Sequence, residues 1–243
     1  MVPDFIQQSA RLLLFDIDGT LLSCGPQVRG LFKDALAEVY GTAGDCDSYH
    51  FHGRTDPRIV LDLLSGAGWD EAEIRERMPR FQKLYLAALE QGLKRDGMRL
   101  LPGVEELLER LAERRDLTIG LLTGNWESGA RTKLSRFDLN RFFPFGAYGS
   151  DATDRDDLPP VALVRAARHA GRAFRPEETL IIGDSVHDVG CAHAHGIPVL
   201  AVATGRTSVE ELKATGAEWV VPDLTYAAFG VAPGAAPLPF STG

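Results

Sequence analysis

The sequence is short of three things that several classes of protein require: paired cysteines, excess basic charge and long apolar runs. Its three cysteines, Cys24, Cys46 and Cys191, are scattered and form no Cys-x-x-Cys pair. This spacing argues against a disulfide framework or a zinc site and for reduced thiols. The formal net charge of −8 argues against nucleic acid or an anionic membrane surface as the main partner, because both attract basic patches.

Membrane and export signals are also lacking. No stretch approaches the ~20 consecutive apolar residues of a membrane span. The first residues, Met-Val-Pro-Asp-Phe, carry an acid where a signal peptide has basic residues. We therefore expect a cytoplasmic protein that does not bind membranes. Its 243 residues suit one large domain, or a core with a smaller second domain.

Short apolar runs that alternate with helical patterns organise the chain. The runs at residues 11–15, 117–122, 179–182, 199–203 and 219–221, with a weaker one at 145–149, are typical of buried strands. Repeated strand–helix units predict an α/β protein with a doubly wound, Rossmann-like parallel sheet. We expect a core of residues 1–21 and 98–243, ending in an extended or disordered tail at 230–243.

Residues 22–97 show helical periodicity and no convincing strand, which predicts an inserted, all-helical cap domain. In this insertion Asp56 followed by Pro57 is typical of a helix N-cap and a first-turn proline. A longer helix should begin after Asp70, and Pro79 is expected to kink it or split it in two.

Three predicted strands end in polar turns. Asp16 and Asp18 follow the first, Thr123-Gly124-Asn125 follows the second, and Gly183-Asp184 with Asp188 follows the third. Asp188 could also simply cap a helix over 188–195. Carboxyl ends of parallel strands share one edge of the sheet, where such folds bind ligands.

The four carboxylates at that edge predict a hard cation. Oxygen ligands without His or Cys favour Mg²⁺. Beside the cation, the hydroxyl of Thr123 and the exposed amide of Gly124 could hold a phosphoryl group.

The order Asp16-x-Asp18-Gly19-Thr20, then Thr123, then Gly183-Asp184-x-x-x-Asp188 resembles the haloacid dehalogenase superfamily of aspartyl phosphotransferases. With a helical insertion after the first motif, the chain is similar to phosphoglycolate phosphatase-like members. The resemblance implies Asp16 as nucleophile, Asp18 as general acid and base, and Thr123 with Gly124 and Asn125 as phosphate ligands. It also implies Mg²⁺ held by Asp16, the backbone carbonyl of Asp18, Asp184 and Asp188.

One motif of that family is missing. The family's lysine is expected just before the helix that follows the strand-like run at 145–149, but Asp157 stands there. A cation is still needed beside the nucleophile to stabilise a transferring phosphoryl group. Arg155 is the first candidate for this catalytic cation, and Lys133 is the second.

The stretch Gly53-Arg54-Thr55-Asp56 resembles the substrate-facing cap loop of phosphoglycolate phosphatase-like and phosphoglucomutase-like proteins. Arg54 and Thr55 are therefore expected to contact the substrate, with an exposed arginine and a plain helix cap as the alternative.

These observations predict a Mg²⁺-dependent hydrolase of small phosphate monoesters, such as phosphoglycolate or a sugar phosphate, that acts as a monomer or homodimer. Three alternatives stay open: a phosphomutase, a 2-haloacid dehalogenase, and an inactive binding module. Asp18 and Asp184 argue against the dehalogenase, which needs neither a metal nor a second acid in the first motif.

Overall fold

A computed structural model describes residues 10–226. Within these residues the strands are β1 (Leu12–Phe15), β2 (Leu22–Ser23), β3 (Arg99–Leu100), β4 (Thr118–Leu122), β5 (Gly146–Ala147), β6 (Thr179–Gly183), β7 (Val199–Val202) and β8 (Trp219–Val221). The α-helices are α1 (Gln27–Tyr40), α2 (Asp56–Gly66), α3 (Glu71–Gly92), α4 (Val104–Ala112), α5 (Glu127–Ser135), α6 (Leu158–Ala170), α7 (Val186–His193) and α8 (Val209–Ala214).

Six of the strands form one parallel sheet in the order β5-β4-β1-β6-β7-β8. All four residues of β1 are fully buried, and they alternate between two cores. Leu12 and Leu14 pack into the core on one face, whereas Leu13 and Phe15 pack into the core on the other. A strand covered on both faces must be apolar throughout, which explains its uninterrupted run. The predicted α/β, doubly wound sheet is confirmed.

The segment between β2 and β3 holds helices α1, α2 and α3. It is framed by a short antiparallel ribbon in which Leu22 pairs with Leu100. This ribbon was not predicted from the sequence, because two-residue strands leave no periodicity to detect. Both ends of the inserted segment therefore leave the core side by side. The division at residues 22–97 stays a prediction.

Helix α3 runs through Pro79 without a break, so of the two expected outcomes the division into two helices is wrong, whereas the kink stays a prediction. Pro79 lies on the exposed side of the helix. The carbonyl one turn earlier, which loses its partner, can therefore be hydrated there.

No helix among the described residues is long and apolar enough to cross a membrane. The predicted tail at 230–243 lies outside the described residues.

Candidate active site

The three predicted polar turns lie at one edge of the sheet, as the strand order requires. β1 lies between β4 and β6 in parallel register, so Asp16, Thr123 and Asp184 follow neighbouring strand ends. The amide of Asp16 donates to Ile182 O at 2.9 Å, and the amide of Thr123 donates to Ala147 O at 3.0 Å. The sheet's own hydrogen bonds thus continue into the site and fix these backbones.

Asp16, Asp184 and Asp188 form a buried carboxylate cluster, with one oxygen of each within 4.8 Å of the others. Burial raises the pKa of Asp16 to about 7, even though Arg155 lowers it, and the charges of Asp188 and Asp18 raise it further. Burial also raises the pKa of Asp184, and the neighbouring carboxylates of Asp188 and Asp16 add to the effect. The cluster therefore lacks positive charge.

The residues around Asp184 fit a bound cation. Its Oδ2 atom is buried without a hydrogen-bond partner among the described residues, which is costly for a carboxylate oxygen. A Cβ on Gly19 would lie 2.3 Å from that atom, and one on Gly205 would lie 1.6 Å from it. An oxygen-only cluster with an unpartnered oxygen in a side-chain-free space suits Mg²⁺. The side chain of Asp18 lies outside the cluster. This agrees with the expectation that Asp18 would bind the metal through its backbone carbonyl.

Asp188 is not the N-cap of its helix, so the alternative of a plain cap for a helix over 188–195 is wrong. α7 begins at Val186, and Ser185 is its N-cap. The Oδ2 atom of Asp188 accepts from Ser185 N at 3.0 Å and from Ser185 Oγ at 2.5 Å, while its Oδ1 atom accepts from Arg155. Asp188 thus belongs to a capping box and to the carboxylate cluster at once.

Arg155 is buried beside the predicted nucleophile. Its Nη2 lies 3.1 Å from Asp16 Oδ1 and forms an ion pair with Asp188, while its Nη1 donates to Gly53 O at 3.1 Å. A short 3₁₀ turn, Arg155–Asp157, carries the side chain. The guanidinium therefore occupies the position where a cation was expected.

Lys133, the second candidate, lies beside Asp18. Its buried Nζ is 2.5 Å from Asp18 Oδ2 and also donates to Asn125 Oδ1. Burial alone would raise the pKa of Asp18, but Lys133 and Asn125 outweigh it and hold the pKa below its usual value. Each cation thus serves a different aspartate.

The loop after β4 connects these groups. Asn125 Nδ2 donates to Asp18 Oδ2 at 2.8 Å and to Thr123 Oγ1 at 3.0 Å. Thr123 is fully buried. A Cβ on Gly124 would lie 2.1 Å from Arg54 O, so a glycine is required where the loop meets the inserted segment.

Of the predicted cap residues, Arg54 pairs with Asp62 at 3.1 Å and its side chain is 36% exposed. Thr55 is buried and is the N-cap of α2, accepting from Arg58 N at 3.2 Å. The expectation that Asp56 is this N-cap is wrong, because Asp56 is already the first helical residue. Its carboxylate accepts from Trp126 N at 2.8 Å.

Several site residues were missed from the sequence. Thr20 Oγ1 donates to Asp184 Oδ1 at 3.5 Å, and Thr204 Oγ1 donates to Gly19 O at 2.6 Å. Thr204 and Gly205 follow β7 at the same edge of the sheet, so the strand-end rule applied to a fourth strand could have found them. Asp56 gave no comparable signal.

A doubly wound parallel sheet with carboxylates gathered at its strand ends is typical of α/β enzymes. The chain belongs to the haloacid dehalogenase-like hydrolase family, whose model matches residues 13–202. This confirms the family predicted from the motifs, and the protein is therefore an enzyme.

Similar proteins agree with this assignment. A phosphoglycolate phosphatase of Pseudomonas syringae pv. tomato is 26% identical over 90% of this chain and 79% of its own. One of Rhodobacter capsulatus is 30% identical over 81% and 85%. A crystal structure from Bacteroides fragilis, described as haloacid dehalogenase-like, shares the fold with a TM-score of 0.69 and 23% identity over 88% and 98%.

Proposed function

We propose that this hydrolase is a phosphatase that acts on small phosphate monoesters through an aspartyl-phosphate at Asp16. The observation that carries the proposal is the pairing of Arg155 at 3.1 Å with Asp16, a member of the buried carboxylate cluster. A nucleophilic carboxylate repels a phosphate dianion, so the reaction needs positive charge at this place.

Asp16, Asp184 and Asp188 are the side chains that would hold Mg²⁺. Four carboxylates face two side-chain cations in the site, which leaves two negative charges, the charge that one divalent ion neutralises. When bound, the ion supplies positive charge that offsets the repulsion between Asp16 and the phosphate.

The protein groups divide the reaction between them. An oxygen of Asp16 attacks phosphorus, and the bond to the leaving alkoxide breaks. Arg155 stabilises the charge that develops on the phosphoryl oxygens. Thr123 and the backbone of Gly124 would hold those oxygens on the opposite side.

Asp18 would act as the general acid and the general base of the reaction. The ion pair with Lys133 keeps it charged in the free enzyme, which is the form that deprotonates water when the aspartyl-phosphate is hydrolysed. A bound phosphate dianion places negative charge beside Asp18 and favours its protonated form. That form can then donate a proton to the leaving alkoxide.

A small metabolite is the substrate class we favour. The phosphatases similar to this chain are named for phosphoglycolate. The start of α2 and the residue Gly53 before it contact Gly124 and Arg155 at the same edge of the sheet. Phosphoglycolate or a sugar phosphate would suit such a site, and Arg54 would contact its non-reacting end.

The test is phosphate release from p-nitrophenyl phosphate and from a panel of small phosphate esters, with and without Mg²⁺. We expect release that requires Mg²⁺ and disappears in Asp16→Asn, with a large loss in Arg155→Ala. Asp116→Asn, an exposed change at the opposite edge of the sheet, is the matched control and should keep full activity. Absence of release from every ester would refute the proposal, and halide release from 2-haloacids would then identify a dehalogenase.

A further inference from the structure

The amino end of α2 lies directly against the catalytic loop that follows β4. The amide of Asp56 donates to Gly124 O at 2.7 Å, and the carboxylate of Asp56 accepts from Trp126 N at 2.8 Å. The two backbones touch, since a Cβ on Gly124 would lie 2.8 Å from Thr55 Cα. One buried residue of the inserted segment therefore contacts the backbone on both sides of Asn125, at Gly124 and at Trp126.

Helix α5 needs such a contact, because its own sequence does not cap it. Trp126 occupies the N-cap position and offers no side-chain acceptor. The first amides of a helix require partners from elsewhere when the N-cap supplies none. Asp56 supplies one, and Ser150 Oγ accepts from Glu127 N at 2.9 Å. A carboxylate is the favoured partner, since it also complements the helix dipole.

What α5 carries makes this contact relevant to the reaction. Lys133 lies on α5 and contacts Asp18, and Asn125, just before α5, also donates to Asp18. A shift of the helix start would move both donors together, along with Thr123. Displacements of about 1 Å in such groups can cost ~100-fold in rate.

We propose that Asp56 is a positioning residue for the reaction: by accepting the Trp126 amide it fixes the Thr123–Gly124–Asn125 loop and the helix that presents Lys133. This inference rests on the proposed phosphatase function. Asp56 acts through those groups and contacts no reacting atom. The inserted helices thus contribute to the alignment of the core's catalytic groups as well as covering them.

The experiment compares Asp56→Ala, Asp56→Asn and Asp56→Glu in the full chain with Mg²⁺ and p-nitrophenyl phosphate. Alanine removes the acceptor, and we expect kcat to fall about 100-fold while KM changes far less. Asparagine keeps an acceptor oxygen at the same distance and should retain most of kcat. Glutamate keeps the charge but displaces it, so it should resemble alanine if position matters.

Arg58→Gln is the control, because it breaks an exposed ion pair with Asp154 that also joins the inserted segment to the core. It should leave kcat unchanged. Melting temperatures distinguish a positioning role from a merely structural one. If Asp56 only stabilised the fold, its replacement would lower the melting temperature but leave kcat unchanged at temperatures well below the transition.

Each outcome decides between the two proposals. Full kcat in folded Asp56→Ala would overturn this inference while leaving the phosphatase function intact. No phosphate release by the wild type would instead overturn the function. If the alanine variant does not fold, equal kcat values for Asp56→Glu and the wild type would refute the positioning role. A lower kcat in Asp56→Glu, with kcat retained in Asp56→Asn, would support it.

Discussion

Burial of the Asp56 carboxylate makes stability depend on pH. Burial raises its pKa from 3.8 to about 6, although Lys133 and the Trp126 amide lower it in part. A carboxyl group with a raised folded-state pKa favours folding while it is protonated in both states. That contribution is lost as the pH rises from the unfolded value through the folded one. The shift of about two pH units corresponds to about 3 kcal/mol, at ~1.4 kcal/mol per unit.

Asp56→Asn removes this titration but keeps an acceptor for the Trp126 amide. We expect the free energy of unfolding of the variant, minus that of the wild type, to increase by about 2.5 kcal/mol between pH 4 and pH 7.5, because a small part of the full contribution is already lost at pH 4. Urea unfolding of the metal-free protein, followed by circular dichroism at several pH values, measures this difference directly.

Asp116→Asn is the matched control with the opposite sign. The hydrogen bond from Arg114 lowers the pKa of the exposed Asp116 carboxyl to about 2, so that carboxyl favours folding at neutral pH and its loss should not stabilise the protein. If the difference in unfolding free energy between Asp56→Asn and the wild type stays constant from pH 4 to pH 7.5, the reasoning is refuted. Burial would then not raise the pKa of the Asp56 carboxyl.

Three further changes test the site itself. Arg155→Met should lower kcat for phosphate release about 10²–10³-fold, as loss of one transition-state donor does, and Arg155→Lys should recover part of it. Gly205→Ala places a Cβ 1.6 Å from Asp184 Oδ2, so the Mg²⁺ concentration for half-maximal activity should rise at least ~10-fold. Gly190→Ala is the control, because a Cβ there meets open space, and it should leave this Mg²⁺ concentration unchanged. Lys133→Met should lower kcat by at least ~10-fold with little change in melting temperature, because the acid–base carboxylate is 36% exposed and water can replace the lost partner; an unchanged kcat would contradict this role.

The sheet could be predicted because its strands carry a local signal. The run before Asp16 is apolar throughout, since both of its faces are covered, and chain order with right-handed crossovers brings the strand ends together. The same argument gathers Thr123, Asp184 and Asp188. The two-residue strands of the ribbon at Leu22 and Leu100 carry no such signal, so they were missed.

Arg155 was the first candidate for the cation beside Asp16, but the partner of Lys133 could not be predicted, because it depends on how helices pack. Lys133 lies about two turns into α5, on the face that meets Asn125, which precedes the helix. Which aspartate this face of α5 meets depends on how the helix crosses over the sheet after β4. The spacing of residues in the sequence does not determine that packing. Arg155 reaches Asp16 from a 3₁₀ turn, and its guanidinium also donates to Gly53 O of the inserted segment, a contact that spacing does not reveal.

The assignment of Asp56 as an N-cap failed for an instructive reason. Threonine and aspartate are both good N-caps, so local sequence cannot decide between Thr55 and Asp56. The decision comes from α5, about 70 residues later, whose N-cap Trp126 has no side-chain acceptor. The sequence does not show this need, because Asn125, a good N-cap by residue type, directly precedes Trp126. Only the structure shows that α5 starts one residue later and that Asp56 of the inserted segment accepts from its N-cap amide.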